Sequence, residues 1–212
     1  MKILGIVCSP RKEGNTEIMV QEALGAAREA GAETEIILVT GKQIRPCEAC
    51  YACVETGVCV QQDDVLSILG ALEAADGILF GSPVYFHDVS AQAKIIMDRT
   101  FSLLQQMRLR GKVAAPVLAL RRYGAGQTRN HLYGFFLSHG MVPVRGAVGY
   151  GREKGEVRTS VGASRDLTAM EEARTTGEEV VRMVEKLSGG GRPGQPGLLK
   201  KMFSRFRSTE GK

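Results

Sequence analysis

Lys2-Ile3-Leu4-Gly5-Ile6-Val7-Cys8 running straight into Ser9-Pro10-Arg11-Lys12-Glu13-Gly14-Asn15-Thr16 decides the fold. The nearly unbroken apolar run reads as a strand over residues 2–8, covered on both faces. The polar turn behind it opens into a helix over residues 15–31, capped by Asn15 or Thr16 and ended near Gly31. Further strands are expected at residues 35–39, at Ile78-Leu79-Phe80 (stopping at Gly81-Ser82-Pro83), at 113–120 and from Val142-Pro143-Val144. Helices are expected at 63–75, 90–107, 126–139 and 166–187. Strands alternating with helices argue for a doubly wound α/β domain, with a parallel sheet covered on both faces. That domain spans residues 1–187, with a cysteine-rich loop at 46–60 inserted behind the second strand. Residues 188–212 read as a flexible Gly/Pro linker and a basic tail.

The chain of 212 residues suffices for one domain with an ample core, and its 43% hydrophobic content is ordinary for a soluble protein. No run approaches the ~18–20 apolar residues of a spanning helix. The first strand is too short for a signal segment, so a cytoplasmic protein is expected. The net charge of +5 sits entirely in the tail. Of the 28 basic and 23 acidic side chains, Arg192, Lys200, Lys201, Arg205, Arg207 and Lys212 stand there against Glu210. Residues 1–191 therefore carry 22 of each sign and offer no basic face for nucleic acid. Residues 198–206 read as a short amphipathic helix, Leu198, Leu199, Met202, Phe203 and Phe206 opposing Lys200, Lys201 and Arg205. Docking on its own subunit or a neighbour is the expected role of this tail. Contact with a membrane surface or an acidic partner is the alternative.

A turn between the first strand and first helix of such a sheet is where anions bind, because backbone N–H groups and the helix dipole converge there. Ser9, Thr16 and the Asn15 amide can donate to phosphate oxygens, Arg11 adds a forked charged donor, and Gly14 allows the bend. The turn is neither G-x-G-x-x-G nor a Walker loop, which disfavours dinucleotide and triphosphate folds. It suits a terminal phosphate monoester, which FMN has and NAD lacks. After the third strand, Pro83 stiffens a loop in which Tyr85 and Phe86 offer flat apolar surface to a tricyclic ring, with Val84 beside them. A third loop, Arg121-Arg122-Tyr123-Gly124-Ala125-Gly126-Gln127, follows the fourth strand. Either it is a solvated turn, or Arg121 or Arg122 faces the flavin's pyrimidine edge or an acidic donor.

Four of five cysteines fall within thirteen residues, as Cys47-x-x-Cys50-x-x-Cys53-x5-Cys59. A disulfide scaffold spreads its cysteines, so a metal or redox site in a reducing compartment is expected. Thiolates suit iron–sulfur clusters, zinc or copper(I). Structural zinc usually takes two well-separated pairs. Three cysteines at consecutive x-x spacing instead wrap a cubane, and Cys59 would have to complete the same site, there being no second set. Zinc, oxidised cysteines and unligated thiols remain the other outcomes. Cys8 reads as a buried small residue. His87, His131 and His139 show no metal spacing.

Ser9-Pro10-Arg11-x-x-Gly14-Asn15-Thr16 together with Gly81-Ser82-Pro83-Val84-Tyr85 and Ser90-Ala91-x-x-Lys94-x-x-x-Asp98-Arg99 resembles the NADPH-dependent FMN reductase-like flavoproteins over roughly residues 1–145. The resemblance implies a flavodoxin-like three-layer sandwich with a five-stranded parallel sheet of order 2-1-3-4-5. It also implies FMN, and a homodimer or homotetramer with the flavin near a subunit interface. Ser9, Arg11, Gly14, Asn15 and Thr16 would hold the phosphate. Pro83, Val84 and Tyr85 would contact the ring. From the residues themselves, Phe86 and the third loop's Gly124 are further cofactor-binding candidates, and Lys94, Asp98 and Arg99 are expected to fix their helix or a subunit contact. The cysteine run between the second strand and the next helix resembles the iron–sulfur flavoproteins of anaerobic microbes at all four positions, Cys47, Cys50, Cys53 and Cys59. That likeness implies one [4Fe-4S] cluster per subunit and electron transfer between cluster and FMN. The expected function is thus a redox flavoprotein taking electrons from a ferredoxin-like donor or NAD(P)H and passing them to a small oxidant. No side chain is expected to act as acid or base. A cluster-free NAD(P)H-dependent flavin or quinone reductase is one rival, and a flavin-containing sensor or interaction module is another.

Overall fold

The computed structural model describes residues 1–163 and 166–189, so the tail and most of the Gly/Pro stretch lie outside the described residues. Strand β1 (Lys2–Val7) occupies an interior position in the sheet, buried from Ile3 onward. It pairs in parallel with β2 (Glu33–Leu38) on one side and β3 (Gly77–Tyr85) on the other. A two-residue strand, β4 (Asp88–Val89), folds back on β3 as a hairpin. Parallel to β3 runs β5 (Val113–Leu120), every residue of it buried. Two short strands, β6 (Val142–Pro143) and β7 (Ala147–Tyr150), both pair with β5 and share the fifth position. The spatial order is therefore the expected 2-1-3-4-5 once the β4 hairpin is set aside.

The break in the fifth strand has a cause in β5. Ala114 pairs with Pro143 and Val117 with Ala147, so Ala115 and Pro116 face Val144, Arg145 and Gly146, one residue more. The Val144 N–H bonds the Ala114 carbonyl, which places the missing N–H of Pro116 on this same side. Gly146 has φ +75°, and a Cβ on it would stand 2.2 Å from the Pro116 carbonyl oxygen. The strand bulges where its neighbour has no donor.

Helices α1 (Asn15–Glu29) and α7 (Ala169–Gly189) cover one face of the sheet, packing on Ile3, Val7, Leu79, Val113 and Val117. Between β2 and β3 lie α2 (Ala52–Thr56) and α3 (Val65–Ala74). The helix expected over 90–107 breaks at Thr100 into α4 (Ala91–Arg99) and α5 (Phe101–Leu104), and α6 (Ala125–Ser138) follows β5. Helices α3, α4 and α6 cover the other face, against Leu4, Ile6, Ile78, Phe80 and Leu118. Residues alternate between the two cores along each strand, which makes the three layers.

Three local expectations are corrected. Gly14, in extended conformation, occupies the N-cap of α1 with no side-chain cap, and Asn15 and Thr16 lie inside the helix. Strand β3 does not stop at Phe80 but continues through Gly81-Ser82-Pro83 to Tyr85. Pro83 is tolerated there because β1 ends opposite Gly81. The Gly81 carbonyl takes the Cys8 N–H, so residue 83 would turn its N–H to the same side, where no strand remains. Finally, Ser188 and Gly189 belong to α7 rather than to the linker.

Candidate functional site

Three loops meet at the carboxyl edge of the sheet, where β1 and β3 send the chain in opposite directions, the usual ligand crevice of such folds. The first is the 9–14 turn. Ser9 is buried and its hydroxyl accepts from the Arg11 N–H at 3.1 Å, drawing the turn tight. Gly14 follows, where an added Cβ would touch Arg11 Cβ at 3.4 Å and lie 3.8 Å from Ser9 Oγ. The leading N–H groups of α1 have no intrahelical acceptors and no side-chain cap. A phosphate monoester fits that open helix end. Arg11 is exposed, Thr16 buried. The Asn15 carboxamide is engaged elsewhere: Nδ2 donates to the Glu153 carbonyl at 2.9 Å, and Oδ1 accepts from the Gly155 N–H at 2.8 Å. Asn15 thus straps the 151–155 loop across the turn. Glu17, which sequence reasoning passed over, accepts from the Glu13 N–H at 2.6 Å and so holds Glu13 at φ +52°.

The second loop is the β3–β4 hairpin. Its two turn residues, Phe86 and His87, have φ of +50° and +67°, the backbone usually given to Asn-Gly. Two side-chain bonds hold this costly turn against α6: His87 Nδ1 to Gln127 Oε1 at 2.8 Å, and His131 Nδ1 to Asp88 Oδ1 at 2.5 Å. Pro83 is buried, Val84 half-buried, Tyr85 exposed, and Phe86 wholly exposed. The third loop approaches the second at Gly124, with φ +101°, where a Cβ would stand 2.7 Å from His87 Cα and 3.0 Å from Val84 Cγ1. Arg121, Arg122 and Tyr123 are exposed beside it. Below, the Ser90 hydroxyl donates to the Cys8 carbonyl at 2.6 Å and caps α4 by accepting the Ala93 N–H, while its own N–H bonds Ser82 Oγ. These bonds fasten the β1 end, the β3 end and the start of α4 together.

The cysteine loop leaves the same edge of the sheet after β2. Ala49 at φ +50° and Tyr51 at φ +58° turn the chain on either side of Cys50, and Gly57 at φ +71° ends α2. Cys47, Cys50, Cys53 and Cys59 all line one half-open cavity of about 330 Å³, together with Tyr51, Val60 and Phe101. Burial pushes the Cys53 thiol up, the charge of Cys59 adds to this, and Cys47 and Cys50 contribute less, as expected for thiols sharing one space. Among the described residues no three His, Cys, Asp or Glu side chains converge on a point that one metal ion would fill. A cubane takes a thiolate at each corner, so its ligands ring a volume instead, and four soft donors around one cavity fit that group.

The neck of this loop is closed by a residue whose role the sequence did not disclose. Arg99, at the end of α4, is 1% exposed. Its Nη1 donates to the Arg45 carbonyl at 2.9 Å, to Gln61 Oε1 at 3.2 Å and to Asp63 Oδ2 at 2.8 Å, and its Nη2 to Asp63 Oδ1 at 3.0 Å. Asp63 also accepts the Arg45 and Val65 N–H groups, and Gln61 Nε2 reaches the Pro46 carbonyl at 3.0 Å. Burial alone would raise the Asp63 pKa and lower that of Arg99. Their mutual hydrogen bonds and charges reverse both, so the pair stays ionised. Removing either member would strand a buried charge, which costs ~3–5 kcal/mol. No spacing rule could have found the pair, because its members lie on different elements 36 residues apart. Lys94 and Asp98 form an exposed pair one turn apart at 2.6 Å on the same helix.

The NADPH-dependent FMN reductase family matches residues 1–154, and this chain belongs to it. Within that family several of its curated relatives are iron–sulfur flavoproteins. One from Methanocaldococcus jannaschii is 42% identical over 199 residues, covering 88% of this chain and all of that one. Another, from Archaeoglobus fulgidus, is 34% identical over 158 residues, covering 74% and 72%. Among solved structures, RosB with a bound 8-demethyl-8-formylriboflavin-5'-phosphate intermediate superposes with a TM-score of 0.76 at 17% identity, covering 98% of this chain and 87% of that one, a likeness of fold. The chain is an FMN-dependent oxidoreductase of flavodoxin-like fold. None of its described helices is long and apolar enough to cross a membrane.

Proposed function

We propose that the chain transfers electrons between a [4Fe-4S] cluster held by Cys47, Cys50, Cys53 and Cys59 and an FMN held at the carboxyl edge of the sheet. The donor is a ferredoxin-like protein or NAD(P)H, and the acceptor a small oxidant. The cluster supplies one-electron transfer and FMN the change from one-electron to two-electron chemistry. One observation carries the reading: the four cysteines, and no other thiol, line a single cavity within a loop whose two arms are tied together at its neck. Ser9, Gly14 and the first N–H groups of α1 bind the phosphate, aided by Arg11 and Thr16, while Asn15 holds the 151–155 loop across it. Pro83, Val84, Tyr85 and Phe86 form the wall for the ring, and Gly124 lets the third loop close on it. A homodimer or homotetramer suits this wall, since the exposed Phe86 sits on a turn rigid enough to present it to a second copy.

Anaerobic purification followed by iron, acid-labile sulfide and flavin quantification, with EPR of the reduced protein, tests the reading. One cubane per FMN and a reduced-cluster EPR signal are expected. Stoichiometric zinc, or flavin bleached rapidly by NAD(P)H in protein free of iron and sulfide, would establish the cluster-free reductase instead.

A further inference from the structure

Arg99 makes more contacts than a helix end requires. It bonds the incoming arm of the cysteine loop at Arg45 and the outgoing arm at Gln61 and Asp63. Gln61 itself lines the cysteine cavity, as do Asp98 and Phe101 on either side of Arg99. The guanidinium therefore lies directly behind the cavity wall. One of its donors is idle: Nε is buried and has no hydrogen-bond partner among the described residues. A buried N–H without an acceptor is costly enough to be rare in native proteins. Cys59 lines the same cavity as Gln61, and a thiolate there would stabilise the guanidinium's charge.

We propose that Arg99 is a positioning residue of the cysteine site, clamping both arms of the loop and presenting a buried, charged N–H donor to the sulfur shell at Cys59. The inference rests on the cluster reading above. Its physical content is electrostatic as well as steric. A hydrogen bond and positive charge at a thiolate favour the more negative, reduced cluster and so raise its potential. Asp63 acts in the opposite sense, partly offsetting that charge at 2.8–3.0 Å.

The pair gives a test that loosening of the loop cannot mimic. Arg99→Gln leaves Asp63 uncompensated and is expected to shift the cluster potential negative. Asp63→Asn leaves Arg99 uncompensated and is expected to shift it positive. Arg99→Lys, returning the charge without the fork, should recover part of the glutamine shift. Potentials come from redox titration followed by EPR on anaerobically purified full chains, with iron and sulfide measured on each. Should Arg99→Gln not fold, Asp63→Asn against Arg99→Lys keeps the comparison. Shifts of the same sign in both charge variants, or unchanged potentials and EPR line shapes with a full cluster, overturn the role of Arg99 alone. Absence of iron and sulfide in the unmodified protein overturns the cluster reading and this one together.

Discussion

At the scale of single residues, the buried polar side chains are the least forgiving, and His139 shows how a proton can be fixed by its neighbours. The Thr100 hydroxyl donates to the Met97 carbonyl at 2.6 Å, so toward His139, 2.9 Å away, it accepts. The imidazole proton is thereby assigned to Nε2, and Nδ1 has no partner among the described residues, the Phe135 ring packing edge-on against the imidazole. Protonation would bury an unpaired N–H and a charge, and burial accordingly lowers the pKa from 6.5 to about 4. A folded-state pKa below the unfolded one means the unfolded chain takes up the extra proton. Stability from this residue is complete above about pH 6.5 and is lost as pH falls toward 4. Integrated to pH 5, the loss is ~2 kcal/mol, approaching ~3 kcal/mol at lower pH. The unfolding free energy from denaturant titration should fall from pH 7 to pH 5 by that much more in the native chain than in His139→Gln. Equal pH sensitivity in the two would remove the assignment.

Elements bring in a different constraint, the approach of one backbone to another. Helices α1 and α7 pack closely along one face of the sheet, and at their contact a Cβ on Gly177 would stand 2.0 Å from the Ala23 carbonyl oxygen. Backbone cannot give way as a side-chain end can, so Gly177→Ala should force the helices apart and cost ~1–3 kcal/mol in chemical denaturation. Flavin bound per folded chain should stay unchanged, because α7 carries none of the residues that hold FMN. Gly177 also shows what a single sequence conceals. The strands and most helices were legible because apolar periodicity and Gly/Pro punctuation are local, as in β1 with its turn and in β5, whose bounds at Val113–Leu120 the sequence marks outright. The bulge opposite Pro116, the β4 hairpin and the break at Thr100 depend on which segments become neighbours, and no window of sequence contains that. The cysteine spacing announced a site, whereas the Arg99–Asp63 tie that closes it joins elements distant in the chain.

Over the whole molecule the informative quantity is where charge lies relative to the folded core. Among the described residues both core clusters are built between Ile3 and Val184, and every strand lies before residue 151. The body through residue 191 is neutral, and the six basic side chains beyond it face a single Glu210. A chain ending at Gly189 is expected to fold and to carry the same flavin and iron per protein as the full chain, while its isoelectric point drops from the basic range to near neutral. The tail's own role separates by magnitude. Each lysine or arginine near an anionic bilayer contributes ~1 kcal/mol, so five net charges acting there would tighten vesicle binding by orders of magnitude. If the tail docks on its own subunit or a neighbour, full and shortened chains should co-sediment with anionic vesicles equally at physiological ionic strength, and the shortened chain alone should show altered subunit association or tail-linked stability. Selective sedimentation of the full chain, abolished by raised salt, would reassign the tail to a membrane surface.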